Sequence, residues 1–251
     1  MIHEQIEPDR IIELAAANRW KEIEEQFKER HPADLAAVIS DAPKMFRNHL
    51  FAIITEDLKP DVLAELEGFA EDEVLESLSN AEISEIVEDM DPDDAADVIA
   101  ELPPDRSEKI LDLMEDEESE EVRELLKYDE ESAGGIMTPD VIALQADLTV
   151  EEAFARIAES DIDEPFFYAY IVDQNQTLMS FVGLWKLVRI KDRSRTLSDV
   201  ATKDVISATA DMDQEDVAKM MQKYNLTAIP VVDDQHRLVG RITADDVIDV
   251  L

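Results

Sequence analysis

Cysteine is absent from this chain, which rules out a disulfide framework, a thiolate metal site and a cysteine nucleophile. Glycine is scarce, five in 251 residues, and no Walker or dinucleotide glycine fingerprint occurs. No apolar run approaches the ~20 residues of a membrane helix. The start, Met1 to Glu7, lacks the basic and apolar stretches of a signal peptide, so the chain as it stands reads as soluble. Positive charge is also short, with 23 Lys and Arg against 62 Asp and Glu. Phosphate backbones need a basic patch, so nucleic acid is not an expected partner. The one basic run, Arg189, Lys191, Arg193 and Arg195, reads as a solvated loop. His3, His31, His49 and His236 lie apart, without metal-ligand spacing. No nucleophile, base and orienting acid can be singled out, so catalysis is not expected.

What the chain has is negative charge, a formal −39, unevenly placed. Residues 51–131 carry 31 acids and five bases, and residues 132–251 carry 21 acids and 11 bases. The acidic third is not a disordered tail, because Leu, Ile, Val and Ala recur through it at helical spacing. Two unit charges ~8 Å apart in water repel by roughly 0.5 kcal/mol, and many such pairs accumulate. A divalent cation is the most economical complement. A saline environment or simple solubility also fits this composition.

Over residues 1–127 the apolar positions follow the helical period. Trp20, Ile23 and Phe27 share one face, and Leu35, Val38 and Ile39 another. A Pro-acid-apolar phrase recurs at Pro32-Ala33-Asp34-Leu35, Pro60-Asp61-Val62-Leu63 and Pro92-Asp93-Asp94-Ala95. Proline suits the first helical turn and carboxylates there complement the helix dipole. The spacing predicts stacked helix pairs, an acidic solenoid-like α-helical domain over 1–131.

Gly134-Gly135 and Thr138-Pro139 end that pattern. Beyond them short β-rich runs are expected at 141–144, 166–172, 178–182, 205–208, 228–232 and 238–242, with helices at 149–160, 213–224 and 243–251. The half repeats itself. Asp140-Val141-Ile142 matches Asp204-Val205-Ile206, and Tyr170-Ile171-Val172-Asp173 matches Pro230-Val231-Val232-Asp233. The shift falls from 64 to 60, which places a four-residue insertion near 161–165 in the first copy. Each unit reads strand, helix, two strands, helix.

That repeat resembles a tandem pair of CBS domains, at 137–200 and 201–251. The second copy carries Ile229-Pro230-Val231-Val232-Asp233 and Gly240-Arg241-Ile242-Thr243-Ala244-Asp245-Asp246. The first copy departs, with Gly183 in place of Thr243 and Lys186 in place of Asp246. An acidic helical domain, then Ala133-Gly134-Gly135-Ile136-Met137-Thr138-Pro139, then two CBS units, resembles the cytosolic part of the MgtE family of magnesium channels. The resemblance implies a multidomain α plus α/β fold, a homodimer formed through the CBS domains and a place on the cytoplasmic face of the membrane. It also implies a connecting helix and transmembrane domain after Leu251. The amphipathic pattern without a C-cap at Asp249-Val250-Leu251 fits an excised fragment.

Candidate cation ligands were weighed against helix capping. Asp91, Asp93 and Asp94 suit a helix start, but Asp97 repeats the charge of Asp93 one turn on, where like charges destabilise. Asp93 and Asp97 are therefore the favoured pair, and Asp61 holds the equivalent place in the preceding repeat. Asp213 suits an N-cap with Asp216 closing a box, and Thr243 with Asp246 forms another. The resemblance places metal ligation on Asp213, Glu215 and Asp246 and on the backbone carbonyl at Gly135, while Asp249 shares a face with Asp246. It also places an acid near the end of the 213–224 helix, where this chain reads Gln222-Lys223-Tyr224-Asn225. Mg²⁺ prefers six oxygen ligands and retains waters, so few direct carboxylates suffice.

The expected function is a Mg²⁺ sensor that closes a magnesium channel when the ion bridges acidic faces of the helical domain and the CBS pair. Two rivals remain open. One is an adenine-nucleotide sensor binding ATP through Thr243 and Asp246, with at most one such site because Gly183 and Lys186 replace their counterparts. The other is an acidic scaffold without specific metal sensing.

Overall fold

The computed structural model describes residues 7–28, 30–160, 162 and 165–248. They form two compact units that divide between Val122 and Arg123.

The first unit is helical. It runs through α1 (Pro8–Ala16), α2 (Trp20–Phe27), α3 (Pro32–Asp41) and α4 (Lys44–Ala52). A single 3₁₀ turn leads into α5 (Lys59–Ala64), followed by α6 (Gly68–Ser77) and α7 (Asn80–Glu88). The series ends with α8 (Pro92–Glu101), α9 (Pro104–Leu111) and α10 (Asp116–Leu125). Each expected Pro-acid phrase opens a helix: Pro32 begins α3, Pro92 begins α8, and Pro60 lies in the first turn of α5. Helix α3 packs on α5, α4 on α6, and α7 on α9, so the apolar faces meet two elements along. Leu35, Ile39, Leu50, Leu63, Ile83, Ile99 and Ile110 fill this core with essentially no exposure.

Two arginines act inside the fold. Arg106 donates from Nη1 to the Leu75 carbonyl at 3.0 Å, from Nη2 to that of Leu78 at 2.6 Å, and from Nε to Asn80 Oδ1 at 3.1 Å. It thereby satisfies carbonyls at the C-terminal end of α6. Arg47 donates to the Ser40 carbonyl at 3.0 Å and pairs with Glu73 at 2.8 Å.

The second unit holds two three-stranded sheets of the same design. One joins β1 (Ala143–Gln145), β2 (Tyr168–Val172) and β3 (Leu178–Gly183). The other joins β4 (Ala208–Thr209), β5 (Ala228–Val232) and β6 (Leu238–Thr243). In each, the first strand pairs parallel and the third antiparallel to the middle one. Both antiparallel pairs shift register at the same place, Ile171/Val172 and Val231/Val232. The helices are α11 (Val150–Ala158), α12 (Leu184–Arg189), α13 (Leu197–Val200), α14 (Gln214–Tyr224) and α15 (Ala244–Ile248). Short α13 lies outside the expected repeat. The two hairpin turns pair with each other, Leu178 N–H to the His236 carbonyl at 3.0 Å and Leu238 N–H to that of Gln176 at 2.9 Å, which relates the repeats by a pseudo-twofold.

The linker belongs to this second unit. Ala133 N–H donates to the Met212 carbonyl at 2.6 Å, and Gln214 N–H to that of Glu131 at 2.9 Å. Gly135 is required by close approach, because a Cβ there would lie 2.4 Å from the Asp129 carbonyl oxygen.

One buried acid has consequences for stability. Glu71 sits on the apolar face of α6 with Ala70, Val74 and Leu75 and is 7% exposed. Burial pushes its carboxyl up to about 7, helped by the charges of Glu101, Asp72, Asp97 and Glu67. Between the ordinary carboxylate range and about pH 7, the folded form holds a proton that the unfolded form has released. Stability therefore falls as pH rises through that window, and the full cost of about 3 kcal/mol stands above it. Glu71→Gln is expected to raise the melting temperature of the chain by several degrees at pH 8 and by much less at pH 5, read by circular dichroism melts at both pH values.

Candidate functional site

Helix α8 begins at Pro92 with Asp91 in the N-cap position, φ −61° and ψ 141°. Asp93 and Asp94 fill its first turn half-buried, and Asp97 follows exposed. Ala95, Ala96, Val98 and Ile99 bury the opposite face, so packing fixes which way the acids point. The field of this face reaches across to α6, where Asp97 and Glu101 both help to hold Glu71 protonated. Asp61 is exposed in the first turn of α5.

In the second unit the candidate acids are drawn into local roles. Asp213 caps α14, its Oδ1 accepting the Glu215 amide at 2.9 Å. Glu215 and Asp216 both reach Lys219, at 3.0 and 3.4 Å, so Asp216 turns along the helix rather than closing the expected box. Asp246 Oδ2 accepts from the Thr243 amide at 2.7 Å and from its hydroxyl at 3.1 Å, ahead of α15. Burial pushes the Asp246 carboxyl up, while the Thr243 amide opposes that. The Gly135 amide donates to the Ser132 carbonyl at 2.9 Å. Asp249 lies outside the described residues. Among the described residues, no group of three or more His, Asp or Glu side chains converges as a metal site.

A cleft opens in the CBS pair, lined by Tyr168, Tyr170 and Phe181 from one repeat, by Asp204, Val205 and Ile206, and by Leu226, Ala228 and Pro230 from the other. The rings of Tyr168 and Phe181 meet edge-on at 5.4 Å. Tyr168 accepts from the Thr227 hydroxyl at 3.2 Å. Tyr170 is 2% exposed, and its hydroxyl is buried without a hydrogen-bond partner. Burial pushes that phenol upward, so it stays a neutral donor. An aromatic wall with an unused buried donor is a place for a planar heterocycle bearing an acceptor. Thr243 and Asp246, expected to hold a nucleotide, are not among the lining residues. The cleft residues escaped the sequence reading, although the aromatic run Phe166-Phe167-Tyr168 against Leu226-Thr227-Ala228 in the other repeat was a visible asymmetry.

Helix α12 leaves Trp185 73% exposed and Val188 55% exposed, with Arg189 over the Trp185 ring. Ile248, the counterpart of Val188 on α15, is 69% exposed. The basic run beyond α12 is engaged locally, Arg193 pairing with Glu151 at 3.1 Å and covering the Phe154 ring.

Comparison with known proteins agrees with this organisation. The family described as the MgtE intracellular N domain matches residues 30–131, and the CBS domain matches residues 133–192 and 197–251. Magnesium transporter MgtE of Bacillus subtilis is 30% identical over 243 residues, 96% of this chain and 54% of that protein. The same-named protein of Thermus thermophilus is 41% identical over 126 residues, 49% of this chain and 28% of that protein. The chain thus spans about half the length of the Bacillus relative. Inosine-5'-monophosphate dehydrogenase of Methanocaldococcus jannaschii is 30% identical over 118 residues, 47% of this chain and 23% of that enzyme. A solved structure of the cytosolic domain of the Mg²⁺ channel MgtE in complex with ATP is 33% identical, with a TM-score of 0.83 over 91% of this chain and 93% of that one. The soluble part of a magnesium transporter is 29% identical, with a TM-score of 0.80 over 97% and 96%. An acidic helical unit joined through a glycine linker to two CBS repeats, matched in this way along nearly its whole length, places the chain in the MgtE family as its cytosolic region.

Proposed function

We propose that this chain is the Mg²⁺-sensing part of a magnesium transporter, lying at the cytoplasmic face of the membrane and controlling an attached transmembrane domain. Mg²⁺ held jointly by acids of the helical unit and of the CBS pair favours a compact state, and loss of the ion favours an open one. The observation that supports this reading is the row of acids on α8, whose Asp97 adds to the burial that pushes Glu71 up to about 7. Burial is the main cause of that shift, and the negative potential that adds to it is one that a cation relieves. The ligands named for this role are Asp61, Asp93 and Asp97, with Gly135, Asp213, Glu215, Asp246 and Asp249. Small-angle scattering is expected to show a smaller radius of gyration in millimolar Mg²⁺ than in monovalent salt of equal ionic strength. Asp93→Ala with Asp97→Ala is expected to remove most of that difference. An unchanged response in the double variant would favour a scaffold made acidic for solubility.

The CBS cleft supports a second role, ATP binding, with the adenine against Tyr168 and Phe181 and its acceptor on the Tyr170 hydroxyl. The structurally similar MgtE cytosolic domain was solved with ATP. Tyr170→Phe removes one buried hydrogen bond worth about 1 kcal/mol, so a roughly fivefold weaker affinity for ATP is expected by calorimetry.

A homodimer through the CBS units is part of the same proposal, supported by the exposed apolar residues of α12 and α15. Trp185→Glu together with Val188→Glu is expected to shift sedimentation velocity towards the monomer, because burying unpaired carboxylates at such a contact is costly.

A further inference from the structure

The two halves of the CBS pair are equivalent strand by strand, and Phe181 and Arg241 are one of the equivalent pairs at which their side chains differ beside the cleft. Phe181 pairs across β2 with Tyr170 and exchanges backbone hydrogen bonds with Thr202 at 3.0 and 2.7 Å. Arg241 pairs across β5 with Pro230 and exchanges the same two bonds with Thr138, both at 2.9 Å. The two side chains therefore leave the backbone from the same place in their respective halves. The pseudo-twofold also carries Asp204, Val205 and Ile206 onto Asp140, Val141 and Ile142.

The equivalent positions are more closed in the Arg241 half. Arg241 is 2% exposed, whereas Phe181 is half-buried. Ile142 is 5% exposed and Asp140 half-buried, whereas Ile206 is half-buried and Asp204 exposed. The Arg241 guanidinium donates from Nη1 to the Pro165 carbonyl at 3.4 Å. Burial pushes the Asp140 carboxyl up, and the charge of Arg241 draws it back.

We propose that Arg241 is a built-in plug, its side chain filling in the second half the volume that Phe181 leaves open in the first. The inference rests on the nucleotide reading of the open cleft and specifies its capacity: one planar ligand per chain, in a tandem repeat whose backbone provides for two. A guanidinium is suited to the task, because its planar fork can satisfy a carbonyl and face a carboxylate together.

Calorimetric titration with ATP tests this in the whole chain, comparing wild type, Arg241→Ala and Arg241→Met. The methionine keeps the length and loses the charge and fork, so it guards against misfolding of the alanine variant. Expected are one ATP per wild-type chain and a second in a variant that still melts cooperatively. Phe181→Arg is expected to lose the wild-type site. No site gained in either folded Arg241 variant would overturn the plug. Wild type that binds no ATP would sink the nucleotide reading instead, and a site gained on removing Arg241 would still uphold the plug.

Discussion

Like-charge repulsion is the constraint around which the helical unit is arranged. Residues 51–131 carry 31 carboxylates with five bases, too few to neutralise the acids. Arg106 is committed to carbonyls at the end of α6, and Lys59 to its neighbour Glu56. Cohesion comes instead from apolar packing of successive helices, with Leu35, Leu63, Ile83, Ile99 and Ile110 carrying it. The acids stay outside that core, at first turns and on solvent faces, where water screens them. Glu71 is the exception, tolerated because it can take up a proton.

The CBS pair solves a different problem by repetition. One backbone plan is used twice, down to the register shift within each hairpin, and the two turns lock together across the pseudo-twofold. Function then depends on where side chains break the symmetry. Tyr170 and Pro230 are equivalent, yet one brings a buried hydroxyl and the other a ring without a donor. Phe181 and Arg241 differ as an aromatic wall differs from a buried cation. Lys186 replaces the carboxylate that, at Asp246, accepts the Thr243 amide, and α12 accordingly starts at Gly183 without a side-chain cap.

Much of this was legible in the sequence, for a physical reason. Proline in a first turn, apolar spacing and tandem self-similarity are properties of contiguous residues, so the starts of α3 and α8 and the strand β5 could be read directly. Features assembled from distant segments could not. The cleft draws on four separate stretches between Tyr168 and Pro230, and the aromatic residues that make it look locally like ordinary core. Asp216 satisfied the spacing of a capping box, but Lys219 one turn ahead offered it a stronger partner. Glu71 was the readable miss: it occupies an apolar-face position of α6, three residues before Val74, and a carboxylate on a buried stripe signals a shifted titration.

The same electrostatics sets a limit on how a cation could act. A ligand moves an equilibrium between two states by its differential affinity for them, and no further. Carboxylates scattered over exposed helix faces hold a hydrated ion weakly in either state. A single such site, preferring one state tenfold, contributes about 1.4 kcal/mol. Moving a population from mostly open to mostly closed requires several times that, so several weak sites must act together. Scattered acids would suit such an arrangement better than one tight cage, since a weak site empties near the ion level at which it acts. The charge density of the helical unit, costly for folding, is the property that an arrangement of many weak sites would require.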